Sequence, residues 1–263
     1  VDVGGEGERG ADWLRIAKLG PEGSCEALEP ALVDILSGNQ VWECSVDLAR
    51  FLAGHKEALA GRRVLELGCG HGLPGLWAAA RCGALVDFQD LSAAVLRAAT
   101  APNAAANLPE EAARGARFFA GSWAELRAAC KEKGLAYDAI LASECTYKAD
   151  VYEDLALLLE SCLARGPEGS VAWFAGKRYY FGCGGGTASF AAFLRPRGFA
   201  VEVAAVVEDG RSNIREVLKI SLAPDQAPAP DEAKPAETAE TADPAEPAEP
   251  ASKRPRLEED GGG

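Results

Sequence analysis

The densest chemistry in the sequence is the run Glu66-Leu67-Gly68-Cys69-Gly70-His71-Gly72, set between an apolar segment, Arg63 to Leu67, and a stretch with Pro74 just inside its start. A glycine turn between a strand and a helix admits a ligand close to the backbone, and the helix start supplies unpaired N–H groups. Asp90 follows 22 residues after Gly68, at the end of the next apolar segment. A carboxylate there can accept both hydroxyls of a ribose and repels a 2′-phosphate. The ligand implied is nucleotide-like. Gly70-His71-Gly72-Leu73-Pro74-Gly75 also satisfies the dinucleotide string GxGxxG, so two cofactor classes fit. Glu66, two residues before the first glycine, favours S-adenosylmethionine, because an anion there opposes a pyrophosphate and suits a cationic sulfonium with its amino group.

These residues need a frame that delivers them to one edge. Strands are predicted at Arg63 to Leu67, Ala84 to Gln89, Ala116 to Ala120, Tyr137 to Ala142, Ser170 to Ala175, Ala200 to Val207 and Ile214 to Ser221. Helices are predicted from Pro74 to about Arg81, after a Ser92 cap, and at about Trp123 to Glu132, Ala149 to Leu163 and Ala188 to Leu194. The alternation gives an α/β fold: a doubly wound, Rossmann-like seven-stranded sheet with helices on both faces. The last two strands, joined by a turn at Gly210, read as a hairpin and place one antiparallel strand in an otherwise parallel sheet.

Three parts are expected. Residues 1–40 form a partly ordered N-terminal segment with short helical patterns at Trp13 to Leu19 and Ala27 to Leu36; residues 41–223 form the cofactor-binding domain. Residues 224–263 form a disordered tail, with 8 of the 15 prolines and 11 acids against 4 bases. The tail carries a short basic cluster, Lys253-Arg254-Pro255-Arg256, of the kind that serves nuclear import. The chain starts at Val1 and has no Met, so an N-terminal segment is expected to precede it. No window approaches the ~18 uncharged apolar residues of a spanning helix, and no signal peptide is evident, so an intracellular protein without membrane association is expected. The net charge of -13 argues against tight binding of naked nucleic acid and for a basic partner. Eight cysteines without a CxxC pair, and only two histidines, do not complete a zinc pattern; reduced, mostly buried thiols and no metal are expected.

The chain resembles the seven-β-strand S-adenosylmethionine-dependent methyltransferases, and within them the protein-histidine branch. The resemblance is carried by Val41-Trp42-Glu43-Cys44-Ser45 with Asp47-Leu48, Glu66 to Gly72, Phe88-Gln89-Asp90, Pro102-Asn103 with Asn107, Phe118 to Trp123, Ser143-Glu144-Cys145-Thr146-Tyr147 and Tyr180 to Gly186. It implies donor contacts from Val41, Trp42, Glu43, Cys44, Ser45, Glu66, Gly68, Cys69, Gly70, Gln89, Asp90, Leu91, Asn107, Gly121, Ser122, Trp123 and Ser143. Trp42 and Glu43 would close over the methionine end, or simply staple a helix start; Trp123 would cover the adenine, or serve as a core aromatic. Two departures stand out: a Pro-Gly-x-Tyr-Glu-Gly-Gly run usual in the family is missing before Val41, and Lys148 replaces an Asn.

The resemblance places Glu144 and Tyr147 on the acceptor side, where lysine-modifying relatives carry Asp-x-x-Tyr. Neutral imidazole is already a nucleophile near pH 7, so a carboxylate can hold one ring N–H, select the nitrogen that reacts and stabilise the imidazolium that forms. Lysine would first have to lose a proton. Tyr180 to Gly186 would form a flexible substrate-side loop with an aromatic wall. His71 and His55 are expected to be surface residues without a catalytic role. The activity implied is methylation of a histidine, at the tau nitrogen, of a large-subunit ribosomal protein by a monomer in the cytoplasm and nucleus, including the nucleolus. Alternatives are a lysine methyltransferase of the same fold, an inert ribosome- or chaperone-binding module, and an NAD-dependent oxidoreductase.

Overall fold

The computed structural model describes residues 40–165, 169–210 and 212–222. The expectations for the N-terminal helical patterns, the tail and its basic cluster lie outside the described residues. Seven strands, β1 (Arg63–Leu67), β2 (Leu85–Asp90), β3 (Arg117–Ala120), β4 (Ala139–Ser143), β5 (Val171–Lys177), β6 (Phe199–Val207) and β7 (Arg215–Leu222), form one sheet of order β3-β2-β1-β4-β5-β7-β6. Strands β1 to β5 pair in parallel, and β7 runs antiparallel to both β5 and β6. The chain proceeds from β1 outward to β3, then returns to the other side of β1 with β4. That reversal opens a crevice at the carboxyl ends of β1 and β4, where open α/β sheets take their ligands.

Central strands are apolar on both faces, so successive residues enter two different cores. Val64, Leu141, Trp173 and Val217 face one core, with α1 (Glu43–Ala53) and α2 (Leu73–Cys82). Leu65, Ile140, Phe174 and Leu218 face the other, with α5 (Trp123–Lys133), α6 (Tyr152–Cys162) and α7 (Thr187–Leu194). On the first face, α3 runs from Ala93–Val95 through a π-helical segment, Leu96–Thr100, into Ala101–Asn107. The six-residue α4 (Glu110–Gly115) was not expected; it is too short for apolar periodicity to announce it.

The start of α5 is fixed locally. Ser122 Oγ accepts the Glu125 N–H at 3.2 Å while the Glu125 carboxylate accepts the Ser122 N–H at 2.7 Å, a reciprocal capping box that satisfies two donors otherwise orphaned. This cap aims Trp123, the first helical residue, toward the crevice. Ser122→Ala removes the cap at a cost of about 1 kcal/mol. The expected result is a thermal midpoint lower by ~2–4 °C, read by circular dichroism.

Candidate functional site

The glycine loop after β1 is tied almost entirely to the end of β2. The Gly68 N–H donates to Gln89 Oε1 at 3.1 Å, the Cys69 N–H to the Gln89 carbonyl at 2.8 Å, and the Gly70 N–H to Asp90 Oδ2 at 3.0 Å. The Gly72 N–H closes a turn onto the Cys69 carbonyl at 2.7 Å. On the acceptor side, Thr100 Oγ1, from the π-helical segment of α3, donates to the Gly70 carbonyl at 2.6 Å; Asn103 Nδ2 donates to the His71 carbonyl at 3.2 Å. Gly68 sits at φ 54°, and a Cβ there would lie 2.8 Å from Cys145 Sγ, so only glycine lets the ends of β1 and β4 close on each other. The N–H groups of Gly68, Cys69, Gly70 and Gly72 are thus engaged within the protein, where the sequence suggests unpaired N–H groups next to the helix start.

Gln89 and Asp90 extend this net. Gln89 Oε1 also accepts the Trp123 indole N–H at 3.0 Å, and Gln89 Nε2 donates to the Gly121 carbonyl at 2.7 Å. One amide thus joins β1, β2, the end of β3 and α5. Asp90 accepts the Ser92 N–H through Oδ1 at 2.9 Å as well as Gly70 through Oδ2. Burial raises its carboxyl pKa, and the two N–H bonds oppose that shift.

Glu66 is placed differently from the sequence expectation. It lies beneath the loop at 1% exposure, with Oε2 accepting the Gly75 N–H of α2 at 2.8 Å and Oε1 enclosed without a hydrogen bond. Burial pushes its pKa up to about 8, against the Gly75 hydrogen bond and with a further push from Asp90. Glu66 anchors the start of α2 and is not a wall of the cavity. Three other predicted contacts also face elsewhere. Glu43 lies 3.5 Å from the buried Arg215 guanidinium, which also pairs with Asp47 at 2.6 Å. Cys44 is wholly buried in the core, with its thiol beside Glu144, and Asn107 Nδ2 donates back to the Asn103 carbonyl at 2.8 Å within its own helix. His71 is not a surface residue: it is 3% exposed, under the loop. His55 is exposed and stacks on Phe51 at 4.1 Å.

The remaining predicted positions converge. A cavity of about 510 Å³ at the carboxyl ends of the strands is lined by Val41, Trp42, Ser45, Gly68, Cys69, Gly70, Gln89, Asp90, Leu91, Gly121, Ser122, Trp123, Ser143, Glu144 and Tyr147. It is of ordinary small-ligand size. Gln40, His71, Leu73, Ser92, Cys145, Val151 and Asp154 line it too and were not predicted. Asp154 stands on the first turn of α6, eleven residues past Ser143, and no motif marks it.

Glu144, directly after β4, has φ 57°, the one positive φ of a non-glycine among the described residues. Side chains adopt that conformation at a cost and keep it where the surroundings impose it. Here its N–H donates to the Ala175 carbonyl at 2.9 Å, and its carboxylate Oε2 accepts the Tyr180 hydroxyl. The Tyr180 to Gly186 loop is tied down, not a loose rim: the Tyr180 N–H donates to Gly185 at 3.0 Å and the Gly186 N–H to Thr146 at 2.8 Å. A Cβ on Gly185 would lie 2.3 Å from the Tyr147 carbonyl carbon, which is why glycine stands there. Its neighbours Tyr179 and Phe181 are 57% and 82% exposed, while Tyr180 points inward.

Three carboxylates, Asp90, Glu144 and Asp154, line the cavity among the described residues, with no Lys or Arg. Together with the occupied loop N–H groups, this defines a doubly wound domain whose crevice at the strand ends carries negative charge and has the Gly68 and Gly70 donors already engaged. Residues 31–179 match the family described as "Lysine methyltransferase", more than half of the chain, and the chain belongs to that family. It is 34% identical over 185 residues to "Histidine protein methyltransferase 1 homolog" of Dictyostelium discoideum, covering 70% of this chain and 57% of that protein. The protein of the same name from Rattus norvegicus is 35% identical over 197 residues, 66% of this chain and 54% of its own. The chain thus spans about half the length of these curated relatives. "Histone-arginine methyltransferase METTL23" of Xenopus laevis is 30% identical over 62% of this chain and 67% of that protein. Among solved structures, the magnesium protoporphyrin IX methyltransferase ChlM from Synechocystis, with bound SAH, aligns with a TM-score of 0.51 at 17% identity, covering 74% of this chain and 89% of that one. TrmN from Thermus thermophilus aligns at 0.51 and 24% identity, covering 68% and 48%. Both share the fold.

Glu66 gives the site a pH signature. The folded state keeps its proton to about pH 8, whereas the ordinary carboxyl loses it near 4.5. Between those values the folded state binds more protons, so this group makes stability fall as pH rises. Glu66→Gln does not titrate; its stability relative to the parent is expected to rise from pH 5 to pH 8 in urea melts, and a difference independent of pH would contradict the assignment.

Proposed function

We propose that this chain is an S-adenosylmethionine-dependent protein methyltransferase that modifies a histidine, at the tau nitrogen, of a basic large-subunit ribosomal protein in the cytoplasm and nucleus. The cofactor reading is carried by the cavity itself: carboxylates without a compensating Lys or Arg, and loop N–H groups already spent on Gln89 and Asp90. A cation with an adenosine fits such a wall; a pyrophosphate would meet negative charge and few free donors. Asp90 retains lone pairs for ribose hydroxyls, Trp123 and Leu91 offer apolar surface to an adenine, and Val41, Trp42 and Ser45 line the same cavity as Glu144. When bound, the cofactor supplies a methyl group activated on a positively charged sulfur.

The chain's own task is then alignment within about 3 to 3.5 Å and control of one proton. Glu144 holds the ring N–H of the acceptor, so that the bare nitrogen faces the methyl group and the cation formed on transfer is stabilised. The choice of histidine is supported by the names of the relatives from Dictyostelium discoideum and Rattus norvegicus, which match 70% and 66% of this chain. The family description favours lysine as the second reading. An acidic chain, at -13 overall, suits a basic substrate.

The test is incubation with methyl-labelled S-adenosylmethionine and ribosomal proteins stripped of prior methylation, followed by amino-acid analysis. Label in tau-methylhistidine is expected; label in methyllysine or methylarginine overturns the acceptor assignment. In parallel, Asp90→Ala is expected to weaken S-adenosylhomocysteine binding at least tenfold, while Glu144→Ala keeps that affinity and loses turnover.

A further inference from the structure

Strand β5 ends on the same edge of the sheet as the cavity, and the segment after it, Arg178 to Gly186, leaves two aromatic side chains outside the cavity wall. Phe181 stands at the tip of a turn. The Cys183 N–H donates to the Tyr180 carbonyl at 3.2 Å, and Gly182, at φ 80°, takes the position of a type II turn that requires a positive φ. The feet of the turn are fixed as well: Gly184 bridges to Lys148, the Gly186 N–H donates to the Thr146 carbonyl, and the Tyr180 hydroxyl reaches Glu144. Asn213 Nδ2 donates to the Tyr179 carbonyl at 3.4 Å. Phe181 and Tyr179, exposed as they are, are therefore displayed from a fixed backbone beside the acceptor side, and a contact made there loses little freedom.

The rings around this turn divide into two pairs. The inner rings already carry lysines of the chain itself: Lys148 Nζ stands 5.6 Å from the centre of the Tyr147 ring, and Lys177 Nζ 5.8 Å from that of Tyr180. Arg178, beside them, is paired with Glu216 at 2.6 Å. The outer rings, Tyr179 and Phe181, have neither a cation nor a second ring against them among the described residues. Two exposed carboxylates stand in the neighbourhood, Glu208 near enough to act on Arg178 and Asp150 on Tyr147. Open aromatic faces attract Lys and Arg side chains, and the attraction strengthens as water is excluded. Resting on the function proposed above, we infer that Tyr179 and Phe181 are a docking surface for the protein substrate, taking the Lys or Arg side chains of a basic stretch beside the acceptor on their open ring faces. Both rings stand outside the cavity, so they act on substrate capture and not on methyl transfer itself.

The experiment compares the full chain with a variant carrying both Tyr179→Ala and Phe181→Ala, on the ribosomal protein that takes the label. The variant is expected to raise KM for that protein at least fivefold, while kcat, S-adenosylhomocysteine affinity and the thermal midpoint stay at the parent's values. Phe181→Leu, apolar without a ring, is expected to raise KM, and Phe181→Trp to keep it within about twofold; Leu equal to the parent overturns the assignment to a basic stretch. An unchanged KM in the double variant overturns the inference. So does a lower thermal midpoint, or a lost self-association, with KM unchanged, since the surface then serves another part of this chain or a second copy. Cys183, exposed in the same turn, gives a local readout. An arginine–lysine peptide is expected to slow its alkylation by iodoacetamide, read by mass spectrometry, at least twofold in the parent and not in the double variant. Failure of the proposed function shows separately, as the absence of label with the parent chain; the peptide arm then decides alone, and equal alkylation with and without peptide overturns the docking surface.

Discussion

The bond between the loop after β1 and the two side chains that end β2 governs the site. Past the end of β1 the Cys69 N–H still reaches a β2 carbonyl, but the Gly68 and Gly70 donors need side-chain partners or water. Gln89 and Asp90 supply them, and in doing so decide what the crevice can recognise. Donors spent inside the protein are not available to phosphate oxygens. The same amide of Gln89 reaches Gly121 and the Trp123 indole, so the loop, the β3 end and the aromatic wall are set by one side chain. Asp90 adds a negative charge where the chemistry of the cavity is decided.

The acceptor side repeats this logic with a different purpose. The positive φ of Glu144, its backbone bond to β5 and the Tyr180 hydroxyl all hold one carboxylate. Close packing of the glycine-rich loop against Tyr147 makes that arrangement possible, and the glycines that looked like freedom in the sequence serve as contact surfaces. Glu66, by contrast, is charged in appearance only: buried beneath the loop with a raised pKa, it behaves as a neutral anchor for α2 near pH 7.

Much of the architecture was legible because short apolar runs and their Gly and Pro boundaries are local signals. The β1 bounds agree to the residue, and the hairpin and reversed strand follow from two adjacent strands with a short turn. The Asp90 and Ser143 positions were legible because sheet topology delivers strand ends to the crevice. Illegible were matters of direction. Nothing in the sequence says that Glu66 points down and Asp90 outward, that Cys44 faces the core, or that Thr100 and Asn103 reach back to the loop from α3. The π-helical segment that presents Thr100 has no compositional mark. Asp154 enters the cavity wall because α6 begins nine residues after the end of β4, beside the crevice.

The central claim is that this crevice is built for a cationic adenosyl ligand and against a dinucleotide. Calorimetric titration of the full chain with S-adenosylmethionine, S-adenosylhomocysteine and NAD tests it directly. The account predicts saturable binding of the first two and none of the third. Binding of NAD without either adenosyl ligand would contradict it.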